Sequence, residues 1–152
     1  MVRGGASLIT QRLQQQYLNN NGGRAESFFS RYWGTSLDDA KSLNQATQSA
    51  YDYILDNYNK DDGKEVEDGQ IIIEGYSYGC VLANYLAKRL KEAKLEVNLL
   101  VTVDAAASPE SSKVDREISS NVKKNINYYQ TNPSAIRSRG DKNKKEMINQ
   151  ML

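Results

Sequence analysis

One stretch constrains the chain more than any other. Residues 70–74 are a short apolar run rich in β-branched side chains, an amphipathic segment starts at Cys80, and a second apolar run, VNLLVTV, fills residues 97–103. Short apolar runs bounded by turn signals predict buried strands. Between them Leu82, Tyr85, Leu86, Leu90 and Ala93 recur at helical spacing and predict a helix. Lys88, Arg89, Lys91 and Lys94 gather where that helix would end, and cations suit the negative end of its dipole.

The alternation continues on both sides. Leu8, Ile9, Leu13, Tyr17 and Leu18 predict a helix over residues 7–18, ended by NNNGG, and AESFFSRYW at 25–33 is a short aromatic segment bounded by glycines that favours a strand. Ser36 is placed to cap a long helix on which Leu37, Ala40, Leu43, Ala46, Ala50, Tyr51, Ile54, Leu55 and Tyr58 recur every three or four residues. A charged, glycine-punctuated loop covers 59–69, and NVKKNINYYQTN at 121–132 alternates well enough to be one more strand, on an edge of the sheet. Strands alternating with helices predict an α/β fold, a three-layer sandwich with a mostly parallel sheet. One domain over residues 1–132 is expected, with 133–152 as a polar C-terminal tail or short helix. The opening MVRGGAS reads as the tail of a strand entering a glycine turn, an odd start for a domain, so a shortened product is expected.

Composition excludes several functions. The formal charge of +1 over 152 residues provides no net field to attract nucleic acid or an acidic membrane, and a small neutral substrate fits this balance. No stretch reaches the roughly 18 to 20 apolar residues of a membrane span, and the N-terminus lacks an apolar signal region. The chain therefore reads as soluble and cytoplasmic. With no histidine and one cysteine, Cys80, neither an internal disulfide nor a structural zinc site is expected, and no cofactor.

Gly75-Tyr76-Ser77-Tyr78-Gly79 matches G-x-S-x-G between the predicted strand and helix. In that context the serine occupies a sharp, strained turn that presents its hydroxyl, and the flanking glycines let strand and helix approach closely. The helix N-terminus then aims amide groups at an oxyanion formed on the serine. The alternative is an ordinary glycine-containing β-α turn. Nucleotide binding is disfavoured, because the turn is neither G-x-G-x-x-G nor a P-loop.

With this motif, the helix VLANYLAKRL and the strand ending LLVTVDAAA, the chain resembles the α/β-hydrolase superfamily over roughly residues 1–130, particularly its lipase- and esterase-like members. The resemblance implies a reduced α/β-hydrolase-like core, ester or lipid-like acyl substrates, and Ser77 as nucleophile. It implies Tyr78 as the donor of one oxyanion N–H, RGGAS at 3–7 with Gly4 and Gly5 as the loop carrying the second, and Asp104, at the end of the strand after the elbow, as the triad acid. Tyr76 and Cys80 stand where related sequences often have histidine and glycine, and both add bulk at the turn.

The base is the large departure. A serine hydroxyl is a poor nucleophile without one, and losing the histidine of a serine protease triad costs about 10⁶-fold in kcat. Lys123, Lys124, Lys142, Lys144 and Lys145 lie in polar segments that do not lower a lysine pKa. Two expectations stand: a histidine on a segment lost from the sequence, with this chain inactive or very slow, or a non-catalytic relative that keeps the pocket as a binding or interaction module. Paired tyrosines in INYYQTN suit a pocket wall or a subunit contact, so a homodimer is possible.

Overall fold

A computed structural model describes residues 2–3, 15, 26, 28–29, 37–58, 60–61, 64–65, 69–105, 117–129 and 148–151. In chain order its elements are β1 (Val2–Arg3), β2 (Phe28–Phe29), α1 (Leu37–Asn57), β3 (Lys60–Asp61), β4 (Lys64–Glu65), β5 (Ile72–Tyr76), α2 (Gly79–Glu92), β6 (Leu99–Val103), β7 (Asn125–Tyr129) and β8 (Ile148–Met151). Six strands form one sheet in the order β2-β1-β5-β6-β7-β8, and every described pairing in it is parallel. The α/β class and the parallel sheet are as expected. The predicted helix at 7–18 lies outside the described residues except for Gln15, which is helical.

The buried side of the central strands carries Ile73, Gly75, Leu100 and Thr102, which are paired across β5 and β6. Helix α2 packs against β1, β5 and β6, and α1 packs against α2 and β2. Leu82, Leu86 and Leu90, four residues apart on α2, are buried with Ala83 and Ala87 beside them. Leu43, Ala46 and Ala50 answer them from α1, with Tyr51 and Ile54 at the margin. At about 25 cal/mol per Å² this apolar stripe is the main stabilising term of the helix-on-sheet joint. Tyr85 and Leu55, expected on the apolar faces, are 51% and 43% exposed because each sits on the flank of its buried stripe.

Helix α2 ends in a Schellman arrangement with Lys94 left-handed at φ 59°. The Leu95 N–H bonds to the Leu90 carbonyl at 2.9 Å and the Lys94 N–H to the Lys91 carbonyl at 2.9 Å. Arg89 stacks on Tyr51, 4.7 Å from its ring centre, and ties α2 to α1.

Four expectations change. Strand β5 runs two residues later than predicted, to Tyr76, because Gly75 and Tyr76 pair with both β1 and β6. Strand β6 begins at Leu99, since Val97 makes only an isolated bridge to Val122 and the Asn98 side chain accepts the Ile71 N–H at 2.9 Å. The charged loop contains the antiparallel pair β3 and β4. Strand β7 is not an edge: β8 pairs beyond it, from a segment expected as polar tail or short helix.

Candidate active site

The chain runs from β1 to β2 on one side, then returns to β5 and proceeds outward through β6, β7 and β8. Strand order therefore reverses between β1 and β5. In open parallel sheets the crevice beyond the carboxyl ends of the strands at such a reversal is where ligands bind. Ser77 follows the last residue of β5, directly at that point.

The turn between β5 and α2 is tight, and Ser77 lies in it. Ser77 is left-handed at φ 52°, a conformation that costs a non-glycine residue about 1–3 kcal/mol. Its N–H continues the sheet ladder by donating to the Val103 carbonyl at 2.9 Å, and its own carbonyl accepts the Cys80 N–H at 3.1 Å. Tyr78 is the N-cap of α2, at φ −63° and ψ −23°, with no side-chain capping bond and no acidic residue in the helix's first turn. Gly75 allows the close approach: a Cβ there would lie 2.7 Å from the Gly79 carbonyl oxygen, 2.8 Å from Cys80 Cα and 2.9 Å from Cys80 N. All three are backbone atoms, which have no rotamer by which to yield.

Asp104 occupies the equivalent place one strand across. Tyr76 pairs with Val103, so Ser77 and Asp104 each follow directly on a paired residue. Asp104 is also left-handed, at φ 48°, is only 8% exposed, and donates its N–H to the Tyr128 carbonyl at 2.8 Å. The fold thus brings Ser77, Tyr78 and Asp104 to one end of the sheet. Gly4 and Gly5 lie outside the described residues; Arg3, which precedes them, pairs with Tyr76.

The bulk at position 80 is taken into the core. Cys80 is fully buried, with its thiol 3.2 Å from the Gly75 carbonyl and 3.4 Å from that of Val103. Burial pushes the thiol pKa up to about 12, and the charges of Asp104 and Glu74 add to the rise while the hydrogen bond to Val103 opposes it. A thiol so held stays neutral and is itself a poor nucleophile. Tyr76 points the other way and is 39% exposed. Beside it on that face, Glu74 has its carboxyl pKa raised, chiefly by burial.

Lys123 and Lys124 immediately precede β7 and so lie at the amino end of the sheet, opposite Ser77. Lys123 is engaged there by Glu96. Lys142, Lys144 and Lys145 fall outside the described residues. Two surface hollows, of about 500 and 130 Å³, share Lys88 and run along the flank of α2. Neither is lined by Ser77, Tyr78 or Asp104. Among the described residues no group of three or more metal-ligating side chains comes together. No described helix is long and apolar enough to cross a membrane.

Sequence reasoning missed the polar contacts beneath the site. Thr102 donates its hydroxyl to Asn127 Oδ1 at 2.9 Å, and Asn125 Nδ2 donates to the Leu100 carbonyl at 3.0 Å. The only hint was asparagine at alternate positions of NINYY, a poor strand residue where nothing local requires it. Comparison with protein-family models, with curated proteins and with solved structures returns no match.

Proposed function

We propose that this chain carries the nucleophile elbow of a serine hydrolase of the α/β-hydrolase type, in a three-layer core, directed at ester or lipid-like acyl substrates. The observation that carries the reading is left-handed Ser77 between β5 and α2 at the strand-order reversal, with Asp104 at the end of the next strand. In this reading the Ser77 hydroxyl attacks the acyl carbonyl. The Tyr78 N–H, at the positive end of α2, and the loop containing Gly4 and Gly5 hold the oxyanion. Asp104 stands where the triad acid would orient a histidine that takes the serine proton, a residue these 152 positions lack.

No histidine is present in these 152 residues, so the reading expects very slow acylation by this chain alone. The same fact favours a second reading, a non-catalytic binding or interaction module that retains the fold. A fluorophosphonate probe and p-nitrophenyl esters, applied to the wild type and to Ser77→Ala, separate the two. Slow labelling that requires Ser77, accelerated by added imidazole, supports the hydrolase reading. Absence of any Ser77-dependent labelling with imidazole present overturns it in favour of the binding module.

A further inference from the structure

A row of paired residues crosses three strands immediately below the site: Gly75 on β5, Thr102 on β6 and Asn127 on β7. The next row is Tyr76, Val103 and Tyr128, and beyond it stand Ser77 and Asp104. The interior of a parallel sheet is ordinarily filled with Val, Ile and Leu. Here Thr102 is 1% exposed and Asn127 is fully buried, and the two are joined by a hydrogen bond of 2.9 Å. Buried polar side chains cost free energy unless they are satisfied, and an apolar pair would fill the same space without that demand.

We propose that Thr102 and Asn127 are positioning residues: their buried hydrogen bond holds the end of β6 at the height where Val103 receives the Ser77 amide and Asp104 reaches the Tyr128 carbonyl. The role assigned to the site rests on the hydrolase reading, but the positioning does not. Ser77 donates to Val103, and Asp104 donates to Tyr128. Both left-handed residues therefore depend on where β6 sits between its neighbours. A hydroxyl that donates to Asn127 Oδ1 fixes that position more sharply than an apolar contact, because hydrogen bonding is directional.

Amide hydrogen exchange tests this without relying on catalysis. Thr102→Val keeps the shape and removes the donor, whereas Thr102→Ser keeps the donor. Asn127→Ala removes the acceptor and tests the contact from the other strand. Expected is exchange at the Ser77 and Asp104 amides about tenfold faster in Thr102→Val and Asn127→Ala, beyond any change at Leu86 and Leu90, and near wild type in Thr102→Ser. Equal acceleration at all four amides, or none at Ser77 and Asp104, overturns the proposal and leaves a merely structural contact. Fluorophosphonate labelling run in parallel with imidazole present keeps the two questions apart: wild type that then shows no Ser77-dependent labelling sinks the hydrolase reading while the exchange result stands.

Discussion

At Ser77 the chain is held in a strained turn by a missing side chain, since Gly75 lets the backbone of α2 come within contact distance of β5. At Asp104, one strand across and with a similar positive φ, no glycine precedes the turn in the paired row; the supporting position carries Thr102, bonded to Asn127. One joint is built from close backbone packing and the other from a buried polar contact. The first has no tolerance for added atoms, and the second has none for lost polarity.

The contrast is sharpest at Gly75. Gly75→Val would force the sheet and α2 apart and cost about 3 kcal/mol or more, measured by urea denaturation. A valine tolerated at wild-type stability would show that the close approach is not what the turn depends on. Asn127→Leu, nearly isosteric but unable to accept the Thr102 hydroxyl, should cost about 2 kcal/mol in the same experiment. A neutral result would remove the polar half of the comparison.

Cys80 lies between the two joints, and its test is a pH titration. Its ordinary pKa of 9.0 is raised to about 12 in the folded chain. The unfolded state therefore releases the thiol proton first, so the stabilisation is complete below pH 9 and is lost as pH rises toward 12. Between pH 8 and pH 10 the wild type should lose roughly 1 kcal/mol more than Cys80→Ala. Parallel curves would mean that the thiol is more open to solvent than its full burial implies. The smallest effect is expected at Ser77 itself. Ser77→Gly relieves the left-handed strain and should raise stability by about 0.5 kcal/mol while abolishing any Ser77-dependent labelling. A loss of stability would mean that the serine side chain contributes packing that offsets the strain.

The Ser77 joint was legible in the sequence because its signals are local. Two glycines, a serine, a β-branched run before and a helical period after all fall within residues 71–90, and the turn geometry follows from their spacing. The polar joint was not legible. In NINYY the alternation predicts a strand but not which side faces in, and Asn125, Asn127 and Tyr129 are the buried ones. What decides is register against β6, where Asn125 meets Leu100 and Asn127 meets Thr102, and a local pattern carries no register. Strand β8 was missed for a related reason: four residues, INQM, gain strand identity only from β7 beside them. The long helix α1 and the start of α2 came through because helical periodicity needs no partner to be read.

The bond from the Ser77 amide to the Val103 carbonyl also sets a time order on folding. The acceptor lies far downstream, beyond the whole of α2, so the elbow cannot lock when its own residues have been synthesised. Closing that contact requires a long loop to be ordered first, the kind of non-local step that slows folding. The Ser77 amide has no β6 carbonyl to bond until that strand docks. Only then is the Ser77 turn complete, so its backbone geometry waits for the sheet to assemble around it.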